Sequence, residues 1–247
     1  MNIRHKTLSQ AMGFVFFVGL VLSGNSAQAQ TVGERAPIVD TSKTPRTIAP
    51  YFTQATKLKM TPDADGFIKR WLLLEPIIKP NRSNTVFTDS YLRKAFDTLY
   101  FDNQFTIMPK HGDMVKVGDQ NLKWHALEST KFNVKLFRFA YGLEKPIYGV
   151  LFWAFTIVDS PVEMKNVRLA VGSNSASMWW LNGKEAALLS GDRRMVMDDV
   201  MSSRLTLNKG KNIIRGAVIN GPGMSDFCVR FLDEKGKPIK GLTISYQ

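Results

Sequence analysis

Cysteine is nearly absent from the 247-residue sequence: Cys228 is the only one, so an intramolecular disulfide is excluded and stability has to come from a packed core. Flanked by Phe227 and Val229, Cys228 reads as a small buried apolar residue. A reactive thiolate would want a histidine or cation beside it. Histidine is scarce as well, three in all, and only His111 and His125 lie outside the first thirty residues. Both read as structural or surface residues. Sequence repeats and low-complexity tracts are missing, and no run of basic residues forms a dedicated patch. The elbow G-x-S-x-G of serine hydrolases does not occur: Gly223-Met224-Ser225-Asp226-Phe227 lacks its last glycine, and no Gly-Asp-Ser block is present. The apparatus of acyl transfer is thus poorly represented.

The longest apolar stretch, residues 12–22, is shorter than the roughly 20 residues of a comfortable membrane span. With Arg4, His5 and Lys6 before it and Ala27-Gln28-Ala29 after it, it reads as an export signal over residues 1–29, cleaved near Ala29. No cysteine follows, which excludes lipid attachment at a processed N-terminal Cys. The expected product is a periplasmic or secreted protein and not an integral membrane protein. Cleavage removes Arg4 and Lys6 and no acid, so the net charge falls from +12 to +10. Because the Lys and Arg are scattered, this charge speaks to solvation and to a general attraction for anions. No specific nucleic-acid partner is expected.

Residues 30–62 are polar and broken by Pro37, Pro45 and Pro50, and they read as an extended arm or linker, with Tyr51 and Phe52 pinning its end to the body. A single domain is expected over residues 63–247. Its one helix begins at Asp89 or Ser90, either of which can cap free N–H groups, and repeats Leu92, Ala95, Phe96 and Leu99 at helical spacing. Apolar runs at 67–74, 114–117, 122–127, 132–137, 149–158, 167–171, 178–181, 203–207, 213–219, 227–232 and 242–245 have strand length and are separated by Gly, Asp or Asn. Asn182-Gly183 and the segment 208–212 mark tight turns. Many short strands and one early helix predict an all-β sandwich or barrel.

Several motifs lie in order along residues 65–245: Asp65-Gly66-Phe67-Ile68 before Trp71-Leu72-Leu73-Leu74, Ile107-Met108-Pro109 with Gly112-Asp113, Lys123-Trp124, Gly172-Ser173 before Trp180-Leu181-Asn182-Gly183, Gly210-Lys211-Asn212, and Gly236-Lys237-Pro238-Ile239. In these the chain resembles the galactose-binding-like jelly rolls of secreted bacterial polysaccharide-degradation proteins. They include sugar-binding domains of glycoside hydrolases and small proteins labelled acetylxylan esterase. The resemblance implies an all-β jelly-roll β-sandwich and a carbohydrate setting. It supplies no catalytic residue. Asn174 and Ser175 stand where such domains commonly carry acids.

Binding chemistry has more candidates. Flat aromatic faces stack on the C–H faces of sugars while polar side chains read hydroxyls. Trp179 and Trp180 are neighbours in one strand and point to opposite faces. Trp179 shares its face with Leu181 and Trp180 with Asn182, which predicts Trp179 in the core and Trp180 as the more exposed ring. Trp153, within an apolar run, belongs to the core. The ligand-binding set read from the sequence is Trp180, Asn182, Arg193, Arg194 and Tyr148, with Tyr141 of lower weight. No cofactor is expected apart from a possible structural calcium at Asp63 and Asp65, although the twelve-residue calcium loop fails at both Thr61 and Leu72. No pair of carboxylates for glycoside hydrolysis is marked by position. The function these residues favour is an exported, non-catalytic carbohydrate-binding or accessory protein of polysaccharide degradation. Its expected partners are a polysaccharide or oligosaccharide and a glycan-degrading enzyme. The alternatives are a carbohydrate esterase or glycoside hydrolase of unrecognised design, or a structural partner-binding module of the cell envelope.

Overall fold

The computed structural model describes residues 46–247, and the segment expected to be an export signal and the first part of the expected arm lie outside them. The described chain is an antiparallel β-sandwich with two short helices. Its large sheet is built on five strands: β2 (Arg70–Leu74), β5 (Gln120–Ser129), β6 (Val150–Ser160), β8 (Ala176–Leu181) and β12 (Gly210–Asn220). They lie in the order β5, β2, β6, β12, β8, extended at one edge by β1 (Phe52–Gln54) and at the other by β9 (Lys184–Leu189). Short pieces add to it: β3 (Ile77–Ile78) and β14 (Thr243–Ser245) pair with β6, and β4 (Met114–Val117) pairs with β5. The small sheet centres on β7 (Met164–Asn174), paired with β13 (Asp226–Leu232), β10 (Val200–Met201) and β11 (Leu205–Leu207). The chain crosses between sheets after β6, β7, β9, β11, β12 and β13.

The space between the sheets is filled by one side of each strand. Trp71 and Leu73 of β2, Phe152 and Val158 of β6, and Trp179 and Leu181 of β8 meet Val167, Leu169, Val171, Phe227, Val229 and Phe231 of the small sheet. At its centre Trp71, Trp179 and Phe227 pack edge to face, with centroids 4.9–5.9 Å apart. Gly216 of β12 lets this happen, since a Cβ there would stand 2.3 Å from the Trp179 ring. Tyr51 and Phe52 do pin the arm: Phe52 is buried in this core with Tyr51 packed against it.

The opposite side of the large sheet is also buried, which strict alternation of core and solvent faces does not foresee. Leu72, Leu74, Trp124, Leu151, Trp153, Phe155, Met178, Trp180 and Ile219 all point to it. They are covered by helix α1 (Asp89–Asp97), which contributes Leu92, Ala95 and Phe96, and by residues 99–107, which contribute Phe101 and Phe105. Thr88, not Asp89 or Ser90, caps α1, its Oγ1 accepting the Tyr91 N–H at 3.3 Å. Gln104 holds the covering loop, its buried amide donating to the Phe96 and Thr98 carbonyls and accepting from the Tyr100 N–H. Arg215 of β12, 7 % exposed, reaches through to the Ile107 carbonyl at 2.8 Å.

A second helix, α2 (Leu136–Gly142), replaces the strand expected at 132–137. Leu136, Phe139 and Ala140 are its buried face, at helical spacing, and enter the core between the sheets. Cys228 is buried with no disulfide partner, and burial pushes its thiol up to about 12, the state of an inert structural residue.

Candidate functional site

Several loops meet at the end of the sandwich where β6 starts and β12 finishes, and Asn84 joins them. Its Nδ2 donates to the Asp192 Oδ1 at 2.9 Å and to the Pro222 carbonyl at 3.0 Å, while its Oδ1 accepts the Gly221 N–H at 3.1 Å. Asn220 does the same one residue earlier, donating to the Ile147 and Gly223 carbonyls and accepting from the Ser175 hydroxyl at 2.6 Å. Gly149 N–H bonds the Gly221 carbonyl, and Phe137 N–H bonds the Ser225 carbonyl. The turn at 221–225 therefore fixes both the start of α2 and the segment that carries Tyr148.

On this frame stands a strip of three aromatic rings. Phe137 and Tyr141, one helical turn apart on the outer face of α2, are nearly parallel, with centroids 6.4 Å apart and planes at 6°. Tyr148, 53 % exposed, lies 6.0 Å from Phe137 with its plane tilted by 54°. Guanidinium groups flank the strip. Arg138 sits 5.8 Å from the Phe137 ring and 5.0 Å from Tyr51, and Arg46 lies 5.7 Å from Tyr141. Below α2, Asp226 is buried and accepts from Lys135 Nζ at 2.6 Å and Asn133 Nδ2 at 2.8 Å. Burial raises its carboxyl above the ordinary value, and Lys135 and the amide donors offset part of that rise.

A second polar cluster ties the same region to the body. Glu75, 7 % exposed, pairs with Lys145 at 2.9 Å and with His125 Nε2 at 3.1 Å. Burial alone would raise the Glu75 carboxyl, but hydrogen bonds from Lys145 and His125 outweigh it and hold the group below its usual range. Burial lowers the His125 imidazole more than Glu75 raises it, so the ring is a neutral donor near pH 7. His111 Nδ1 accepts the Ala126 N–H at 3.1 Å. Among the described residues no serine hydroxyl is hydrogen-bonded to either imidazole. Lys145 belongs to the connection between α2 and Tyr148, and the Glu75 cluster anchors that connection.

The residues singled out in the sequence do not converge. Trp180 lies on the face opposite Trp179, as alternation requires, yet it is 8 % exposed. It stacks on Trp153 at 5.6 Å and 17° and meets Phe105 and Phe96 edge to face. The cover formed by α1 and residues 99–107 takes away its role as an open sugar platform. Asn182 sits at the far end of the sandwich and is spent on the fold: with Gly183 it forms the β8–β9 turn at φ 50° and 79°, its Nδ2 bonds Asn212, and its Oδ1 accepts the Ile213 N–H. Arg193 is also committed, to Asp199 and to the Ser190 carbonyl. Arg194 is exposed in the loop that Asn84 tethers through Asp192, at the same end as Tyr148.

The calcium expectation at Asp63 and Asp65 meets a different arrangement. Asp63 Oδ1 accepts the N–H groups of Asp65 and Phe67 at 3.1 and 2.8 Å, and the Lys240 ammonium donates to the Ala64 carbonyl at 2.8 Å. The turn is closed by its own amides and a lysine. Among the described residues no group of three His, Cys, Asp or Glu is placed to hold a metal. Phe137, Arg138 and Arg46 were not legible as site residues; the i, i+4 spacing of Phe137 and Tyr141 is the signal that marks them.

No protein-family model and no curated protein matches the chain. Solved structures give loose similarities. The PA14 sugar-binding domain from an RTX adhesin aligns at TM-score 0.37 and 11% identity, covering 70% of this chain and 94% of that one. The PA14 domain of the MpAFP antifreeze protein aligns at 0.37 and 9%, covering 77% and 96%. The β-glucosidase from Kluyveromyces marxianus in complex with glucose aligns at 0.34 and 18%, covering 53% of this chain and 16% of that one. The chain thus spans under a fifth of the β-glucosidase, and no residue role passes to it from similarities this distant.

Proposed function

We propose that this chain is an exported, non-catalytic carbohydrate-binding accessory protein and that it binds a glycan at the Phe137, Tyr141 and Tyr148 strip. The observation that carries the reading is Tyr148. It is a large, exposed aromatic ring at contact distance from Phe137, which stacks on Tyr141, on a frame of asparagine and backbone hydrogen bonds that holds it in place without relying on its own burial. A pyranose lays its C–H face on such rings, and the guanidinium groups of Arg46 and Arg138 beside them can donate to its hydroxyls. A row of rings suits the side of an extended polysaccharide better than the end of one. Export follows from residues 1–29, and a polysaccharide outside the cytoplasm is the partner such a protein would meet. Among the described residues no helix is long and apolar enough to cross a membrane.

Affinity gel electrophoresis of the chain against a panel of plant and bacterial cell-wall polysaccharides tests this. At least one glycan should retard the wild type, and Tyr148→Ala should migrate as it does in the gel without glycan. Unchanged wild-type mobility in every gel would overturn the reading. The enzyme alternative draws on the Glu75–His125 pair. Release of acetate from acetylated xylan that is lost in His125→Ala would favour it.

A further inference from the structure

Helix α1 and the segment after β3 enclose a pocket of about 300 Å³, lined by Lys79, Tyr91, Lys94, Ala95 and Thr98. The helix supplies four of these at i, i+3, i+4 and i+7, one continuous face, and Lys79 closes the pocket from the other side. Neither lysine is within ion-pair distance of an acid among the described residues, whereas Arg93 on the neighbouring face of the same helix is paired with Glu185. Two of the carbonyls at this end of α1 are occupied. Thr98 Oγ1 donates to the Lys94 carbonyl at 2.8 Å, and the Tyr100 hydroxyl donates to the Ala95 carbonyl at 2.8 Å. Lys79 and Lys94 both line the pocket, and the Lys79 ammonium rests 5.7 Å from the Tyr100 ring centroid. Tyr91 is fixed at its wall by a 2.6 Å hydrogen bond to the Asn81 Oδ1.

We propose that this pocket holds the carboxylate of a uronic acid, which makes the glycan ligand an acidic polysaccharide. Two lysines on the lining of one recess of this size, neither ion-paired among the described residues, suit a single compact anion. The sugar identity of that anion rests on the proposed function above, through one link on the backbone. The Lys79 N–H donates to the Gly149 carbonyl at 2.7 Å, and Gly149 follows Tyr148, so the pocket and the strip are carried by hydrogen-bonded neighbouring segments.

Amide NMR of the folded chain, titrated separately with sodium glucuronate, methyl glucoside and inorganic sulfate, tests the pocket without requiring polymer binding. Glucuronate should shift the signals of Lys79, Tyr91 and Thr98. Its affinity should fall at least about tenfold in the Lys79→Ala/Lys94→Ala double variant, the scale of a lost charge-assisted hydrogen bond. Methyl glucoside should leave those signals in place. Shifts with sulfate but not with glucuronate would overturn the uronate assignment, as would no shift with either anion or glucuronate binding that survives in the double variant. Because Tyr148→Ala tests the strip with polysaccharides in a gel and the titration tests the pocket with a monosaccharide, failure of the pocket and failure of the strip give different results. In a gel containing a uronate polymer the double variant should lose the extra retardation that the acidic glycan gives over its neutral counterpart.

Discussion

Two aromatic clusters in this chain have similar contents and opposite fates. Under α1, Trp153, Trp180, Phe96 and Phe105 pack at centroid distances of 5.6–6.5 Å, and Trp180 retains 8 % of its surface. Beside α2, Phe137, Tyr141 and Tyr148 pack at 6.0–6.4 Å, and Tyr148 retains 53 %. Each cluster is partly built on a helix of fewer than ten residues. They differ in what lies above the rings. In the first, Gln104 and Arg215 fasten residues 99–107 across the sheet; in the second, Asn84 and Asn220 fasten the loops beneath the rings, and Tyr148 stays exposed. Aromatic content alone therefore does not separate core from platform, and the position of the fastening polar residue does.

The largest effect should come from breaking the covered cluster. Trp180→Ala removes a ring that touches Trp153, Phe96 and Phe105 in a layer with little room to collapse, so it should cost about 3–5 kcal/mol of stability. Urea unfolding followed by far-ultraviolet circular dichroism measures this. A variant with the wild-type midpoint would show that the layer under α1 is not a core and would erase the contrast between the clusters.

Part of this contrast was legible in the sequence and part was not, for physical reasons. Adjacent residues of a strand point apart, so Trp179 and Trp180 could be assigned to opposite faces, and Asn182-Gly183 could be read as a turn because both residues adopt positive φ. The cover over Trp180 could not be read. It depends on Arg215 meeting Ile107 across 108 residues, and no local pattern encodes such a contact. Helix α2 was mistaken for a strand because its start carries no capping signal: Lys135 stands at the N-cap position and makes no side-chain bond to the helix. Seven residues are also too few for helical periodicity to outweigh two phenylalanines in a β-rich context. Tyr148 and Arg194 were identifiable as loop residues. Their placement at one end was not, since Asn84 joins segments more than a hundred residues apart.

A smaller effect should appear at the joint between the strip and the body. Glu75→Gln removes the anion that Lys145 and His125 share and should cost about 1–3 kcal/mol at neutral pH. The pH dependence has a defined sign. Glu75 is held below its ordinary value of 4.5 in the folded chain, so its contribution is complete above that pH and is lost as pH falls through the folded value. His125 is held below 6.5, so the unfolded chain takes up this proton first, and stability begins to fall as pH drops past 6.5. Asp226 is raised above 3.8 and opposes the trend, gaining stability as it protonates. In urea titrations between pH 3 and 8 the wild type should weaken from pH 6.5 downward, and Glu75→Gln should show a shallower slope below 4.5. Equal slopes in the two proteins would mean that the Glu75 cluster does not anchor the strip electrostatically.

The smallest effect on stability should come from the ring proposed to matter most for function. Tyr148 makes its ring contact with Phe137 at the surface, and the segment that carries it is held by backbone groups of Ile147 and Gly149. Removing the ring leaves those bonds in place and opens no cavity in the core. Tyr148→Ala should therefore unfold within about 0.5 kcal/mol of the wild type, as exposed substitutions away from caps and cores do. If Tyr148→Ala instead destabilises the chain to an extent comparable with Trp180→Ala, the strip is a satellite of the core, and loss of glycan retardation in that variant would report unfolding. Stability held at the wild-type level together with lost retardation would assign the ring to the glycan, because a residue the fold does not need has its exposed face free for a ligand.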